Sequence, residues 1–270
     1  MNALLCCLGL SKRLIRWGAG AAAGMVISVS AQAQFQEIIP DQAILQDVLQ
    51  RHLHLDIRFT HPMDMGPVLP MDYPEEVGVI ANGRRTILTD KLQTNTEDGA
   101  QTFSLDYEVK APGDHIFYIV PTPYWDSSEQ KMISQYAKVI VDAYGAGNGW
   151  DVLVGMPMEI QPLSRPYALW AGNVFQGVVL RHGEPVPYAE LSVAYHNDGS
   201  VIPPADSYSE QIIRADINGT FTYGIPKAGW WGFAAAAMAN DPLKNPEGEA
   251  VNHEETGVIW VHALDIHKAH

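Results

Sequence analysis

The sequence predicts an all-β protein, two tandem β-sandwiches following a cleaved signal peptide. Three observations carry that expectation. Apolar and polar residues alternate through most ordered-looking segments, the period of a strand with one buried face. Gly, Pro, Asn and Asp break those segments at short intervals. The first 33 residues have the composition of an export signal rather than of a fold.

Lys12, Arg13 and Arg16 form a basic leader, residues 17 to 29 an apolar run, and Ala31-Gln32-Ala33 a small-x-small cleavage site. Together these read as a secretory signal peptide over residues 1–33, cut after Ala33, which places the mature protein in the periplasm. The apolar run is too short and too rich in Gly and Ala for a membrane span, so the mature form is expected to have no stable one. Both cysteines, Cys6 and Cys7, lie within the signal. A mature chain without thiols excludes disulfides, cysteine nucleophiles and Cys-ligated clusters. Cleavage removes three basic residues and no acidic one, taking the net charge from −14 to −17. That sign repels phosphate backbones and argues against nucleic-acid binding.

Leu53, Leu55, Ile57 and Phe59 alternate with His52, His54, Asp56 and Arg58, which predicts a half-buried strand. The pattern returns over 103–109, and a further strand follows over 114–120 after Ala111-Pro112-Gly113, a turn suited to joining strands. Residues 136–143 are rich in β-branched side chains and predict another strand. Short helices are expected at 127–131 and at 40–49, the second capped by Asp41. A cluster of Pro157, Pro162 and Pro166 marks a boundary near 161–168, giving domains over 34–165 and 166–270. Beyond it, 174–180 and 189–195 read as strands around a turn at 181–185. Asn218-Gly219 turns between two more, and 233–238 and 257–263 complete the second sandwich.

Gly177-Val-Val-Leu-Arg-His-Gly-Glu-Pro-Val-Pro-Tyr-Ala-Glu-Leu191 and Asp216-Ile-Asn-Gly-Thr-Phe221 resemble the transthyretin-like or carboxypeptidase-regulatory-like sandwich. There the Asp-x-Asn-Gly-x-Phe segment forms a hairpin. The first domain is expected to be immunoglobulin-like. A longer set of motifs is more specific: Phe59-Thr-His-Pro-Met63, Pro123-Tyr-Trp-Asp126, Gly149-Trp-Asp151, the stretch from Pro162 to Phe175, Lys227-Ala-Gly-Trp-Trp-Gly-Phe-Ala-Ala235 and Gly257-Val-Ile-Trp-Val261. In order, these resemble a family of exported bacterial proteins described as the periplasmic component of nickel/cobalt uptake systems. The resemblance implies a nickel or cobalt ion as cargo and an energy-coupled membrane importer as partner. Many members begin the mature chain with His-Phe; Gln34-Phe35 stands here, and glutamine is a far weaker ligand than imidazole.

All ten histidines follow the signal, and imidazole suits Ni(II) and Co(II) where thiolate is absent. His61 is the first candidate ligand: it follows a strand, is held by Pro62, and has Asp64 and Asp72 nearby. Its ordinary alternative is a histidine that hydrogen-bonds its own loop. His52 and His54 project from one strand face about 6.5–7 Å apart, a spacing that could pinch one ion, although such histidines are more often simply exposed. His262 continues the alternation of Val258 and Trp260 into a core or cleft, whereas His267 and His270 belong to a tail. His115 and Trp230-Trp231 read as packing residues. No nucleophile elbow, phosphate loop, dinucleotide fingerprint or calcium-loop motif occurs, so no enzyme is expected. The sequence thus predicts a metal-capturing accessory protein. The alternative is a periplasmic interaction module that binds a protein or glycan without metal.

Overall fold

The computed structural model describes residues 34–266. The expected signal peptide and the tail histidines His267 and His270 lie outside the described residues. What is described is all-β apart from one turn of α-helix, Asp206–Ser209, and one 3-10 turn, Thr89–Lys91. Among these residues no helix is long and apolar enough to cross a membrane.

In chain order the first strands are β1 Phe35–Pro40, β2 Ile44–Leu45, β3 His52–Thr60, β4 Glu76–Ala81, β5 Arg84–Ile87, β6 Gln93–Glu97 and β7 Ala100–Glu108. Then come β8 Gly113–Val120, β9 Tyr124–Asp126, β10 Lys131–Ala143, β11 Met158–Pro162, β12 Leu169–Trp170, β13 Val174–Arg181 and β14 Glu184–Pro185. The last are β15 Glu190–Tyr195, β16 Gln211–Arg214, β17 Thr220–Gly224, β18 Gly229–Met238, β19 Leu243–Lys244 and β20 Ala250–Leu264.

They form three layers. A large central sheet runs β16-β15-β18-β20-β10-β8-β4-β5, an outer sheet β1-β3-β7-β6 covers one face, and a second outer sheet β11-β13-β14, with β17 beside β13, covers the other. The central strands supply both cores by alternation. Phe117 and Ile119 of β8, Val139 and Val141 of β10, and Val258 and Trp260 of β20 face the β1-β3-β7-β6 sheet, where Phe35, Leu55, Ile57 and Phe103 meet them. Their neighbours Ile116, Ile140, Ile259 and Val261 face the other side, against Phe175, Val179 and Phe221. Each outer sheet forms a sandwich with this shared central sheet. Burial on both faces explains why β8 and β10 read as continuous apolar runs, whereas β3 keeps a clean inside–outside alternation.

The boundary expected at 165/166 falls between β11 and β12, and the central sheet runs across it. β10 pairs in parallel with β20, from Lys131 opposite Asn252 to Val139 opposite Trp260. Where β20 passes under β11 the backbones come close. A Cβ on Gly257 would lie 2.8 Å from the Glu159 nitrogen and the Met158 carbonyl carbon, so only glycine fits.

Three local expectations are corrected. Residues 127–130 form a hydrogen-bonded turn rather than a helix, because the Asp126 carboxylate takes the Ser128 and Glu129 amides. Residues 40–49 hold the end of β1, short β2 and a turn, and Asp41 accepts the His54 amide instead of capping a helix. The Asn218-Gly219 turn is an arch between sheets, not a hairpin: β16 pairs with β15 in the central sheet, while β17 pairs with β13 outside it. Asp216 accepts the Asn218 and Thr220 amides, and Phe221 then points inward to stack with Phe233.

Candidate functional site

Two loops leave the strand ends on the same side of the molecule and are tied to each other. After β3 the chain turns over residues 62–65 and returns so that the Leu69 amide donates to the Phe59 carbonyl at 2.7 Å. After β15 comes His196-Asn197-Asp198-Gly199. The Asn197 amide donates to the Pro62 carbonyl at 3.0 Å, and its side-chain nitrogen to the Met63 and Val201 carbonyls at 2.8 and 2.7 Å. Asn197 Oδ1 accepts the Gly199 and Val201 amides. One asparagine therefore satisfies both loops, and a fully satisfied buried polar group specifies a unique geometry.

Between the loops and the edge of β1 and β3 lies an open cavity of about 350 Å³, bordered by Glu37, Arg58, His61, Met65, Asp98 and His196. Its floor is Glu37, with no exposed surface. A carboxylate this buried must be paired, and both its oxygens are: Oε2 accepts from Arg58 Nε at 2.8 Å, and Oε1 from His196 Nδ1 at 2.8 Å. Arg58 continues to Glu97 at 3.1 Å. Burial opposes the Arg58 charge, but Glu37, Glu97 and Asp56 together outweigh it and raise its pKa.

A carboxylate only accepts, so His196 Nδ1 is the donor to Glu37, and in the neutral ring the lone pair lies on Nε2. This is the carboxylate–imidazole arrangement that fixes tautomer and ring orientation in metal sites. Trp260 holds the ring edge-on, with centroids 6.2 Å apart at 90°. His61 borders the same cavity, its ring packed close under Gly66, and its Nδ1 is buried without a hydrogen-bond partner.

The other sequence candidates lie elsewhere. Asp72 is exposed and borders a separate hollow with Gln36, Tyr124 and Gln135. His52 and His54 do share the exposed face of β3, opposite Glu108 and Asp106. Both nitrogens of His54 face carboxylates: Nδ1 is 2.7 Å from Asp106 and Nε2 is 3.4 Å from Asp56. The Asp106 hydrogen bond raises the His54 pKa against a smaller desolvation effect. His262 packs on Trp230 at 4.7 Å, and burial lowers its pKa. Gln34 is held by Tyr124 and Gln135, and it does not border the cavity. Among the described residues no three His, Asp or Glu side chains converge as a ready metal cage.

Sequence reasoning missed His196 and Glu37. His196 opens a polar Asn-Asp-Gly turn directly after a strand, a legible signal. Glu37 is hidden inside Phe-Gln-Glu-Ile-Ile, where nothing local marks it.

Fold and cavity together define a layered all-β protein with a polar, histidine-bearing cavity at the ends of its strands. The chain belongs to the family described as a domain of unknown function (DUF4198), whose model matches residues 31–239. A comparison with curated proteins gives no significant match. Among solved structures, the two tandem V-type regions of VCBP3, a v-region-containing chitin binding protein, share 9% identity, with 83% of this chain and 98% of that one covered and a TM-score of 0.23. The D00-D0 domain of Intimin shares 11%, covering 86% and 100%, at 0.21. The titin Ig tandem domains A164-A165 share 9%, covering 87% and 98%, also at 0.21. At such TM-scores no residue correspondence follows.

Proposed function

We propose that this is a non-enzymatic periplasmic protein that captures a nickel or cobalt ion in the His61–His196 cavity and passes it to an energy-coupled membrane importer. The observation that carries this reading is the Glu37–His196 pair: a buried carboxylate fixes the imidazole tautomer and leaves Nε2 as a donor. His61 supplies a second imidazole on the same cavity, and its orphaned Nδ1 costs about 1–3 kcal/mol unless something binds it. Two imidazoles suit Ni(II) or Co(II) better than Mg(II) or Ca(II). They also leave coordination positions to water or a small chelator, which suits a carrier that must release its ion. The resemblance of its sequence motifs to those of nickel/cobalt uptake components supports the same cargo.

The test is calorimetric titration of Ni(II) and Co(II) into tag-free protein. One-to-one binding tighter than about 1 µM is expected, weakened at least tenfold in His196→Ala and in His61→Ala. Absence of saturable binding, or full affinity in both variants, would overturn the metal reading and leave that of a metal-free module for a protein or glycan.

A further inference from the structure

At the opposite chemistry from the histidine cavity stands a cluster of oxygen ligands. Asp114 on β8 and Asp142 on β10 are directly opposed across an antiparallel ladder, and their side chains share one face of the central sheet, in line with Ile116 and Ile140. Opposed side chains of a sheet stand about 4.5–5.5 Å apart at Cβ. The two residues are 2% and 6% exposed. Both Asp114 oxygens and Asp142 Oδ1 are without a hydrogen-bond partner. Burial raises the Asp114 pKa most, and Asp142 adds to the rise, while the Tyr167 hydroxyl, the Trp150 amide and the Arg165 charge pull the other way without cancelling it. Two opposed buried carboxyls with unused oxygens, answered on the protein side by Arg165 and Tyr167, call for a further positive partner.

The surroundings add neutral oxygens. Asp114 borders a hollow of about 170 Å³ with Asn82, Asn148 and Gly149. Asn82 and Asn148 Oδ1 lie 2.9 and 3.5 Å from the point where a Gly113 Cβ would stand, so both amide oxygens converge beside the start of β8. Asn82 Nδ2 donates to the Pro112 carbonyl, which fixes the amide with its oxygen toward Gly113. Gly113 has a φ of +125, and a side chain there would be strained as well as pressed against that oxygen.

We infer that Asp114, Asp142, Asn82 and Asn148 form a binding site for a hard divalent cation of calcium type, separate from the histidine cavity. Carboxylates combined with amide carbonyl oxygens in irregular geometry match calcium, which accepts six to eight oxygens, better than magnesium, which demands a regular octahedron. None of the four side chains is an imidazole, and His115 beside them is turned to the Gly113 carbonyl, which makes the set poor for nickel. Its role is structural: the cation bridges β4, β8 and β10, whose ladder carries the central sheet.

The experiment compares thermal unfolding of the purified protein in 1 mM calcium, in 1 mM magnesium and in excess EGTA, with a calcium titration by calorimetry. Calcium is expected to raise the midpoint by at least about 3 °C over EGTA, magnesium by much less, with one equivalent bound. Asp142→Asn and Asp114→Asn should each abolish the calcium response while leaving nickel titration of the histidine cavity unchanged. Equal midpoints in calcium and EGTA would overturn the inference. So would a midpoint that climbs only as the pH falls, the signature of two carboxyls sharing a proton. The wild-type comparison decides even if a variant fails to fold.

Discussion

Replacing Lys138 will cost less than replacing its partner Glu159, although the two form one ion pair. Lys138 is wholly buried and Glu159 is 3% exposed, with Nζ 2.6 Å from Oε1. Their other partners differ. The Glu159 carboxylate also accepts the Val154 and Gly155 amides at 2.8 Å and the Met156 amide at 3.3 Å. Among the described residues the Lys138 ammonium has no second acceptor. In Lys138→Met the carboxylate keeps three amide donors, so the loss sits at the low end of the range for a broken buried pair, about 3 kcal/mol. In Glu159→Met the ammonium is stranded and the amides of buried Val154 and Met156 lose their acceptor, each at about 1–3 kcal/mol, while exposed Gly155 can turn to water. Burial lowers the Lys138 pKa, and shedding the proton limits but does not cancel that loss. The expected cost is about 5 kcal/mol or more. Urea unfolding at neutral pH reads both, provided the slopes match wild type. Equal costs, or a Lys138→Met protein within about 1 kcal/mol of wild type, would refute the reasoning.

Two further outcomes are expected. Gly257→Ala places a methyl against the β11 backbone, which cannot yield as a side chain would, and should destabilise by about 1–3 kcal/mol in denaturant titration; a neutral result would mean that the sheets are further apart than described. His54 should titrate above its usual value by NMR and return toward it in Asp106→Asn. Because its folded pKa is raised, its contribution to stability is complete below the unfolded value near 6.5 and is lost as the pH climbs through the folded pKa. A pKa indifferent to Asp106→Asn would contradict the pairing.

The legible parts of this fold were those where one strand carries its own signal. The alternation at 52–59 gave β3 with its faces correctly assigned, and the Ala111-Pro112-Gly113 turn gave the β7–β8 connection. Residues 76–87 were not read, although Asn82-Gly83 turns β4 into β5, because the core side of β4 is broken by Gly78, where Tyr118 fills the missing volume. Nothing local could show that β10 would find β20, or that the arch after Asp216 would change sheets; both depend on partners distant in the chain. The site divides the same way. His61 was visible from its loop. Its companion His196 comes from the other half of the sequence, and Glu37 acquires its role only when β1 lies beside β3 and under the 196–201 loop.

The β10–β20 ladder also sets an order in time. β10 is flanked in the finished sheet by β8, made before it, and by β20, whose first residue lies more than a hundred positions later and beyond the stretch matched by the family model. Until that last strand has been synthesised, one edge of an apolar strand stands open over much of its length, with both its faces seeking cover. Long-range parallel pairing is slow to find, and an uncovered edge invites pairing with the wrong chain. Successful folding therefore calls for the growing polypeptide to be kept from its neighbours until β20 has been made.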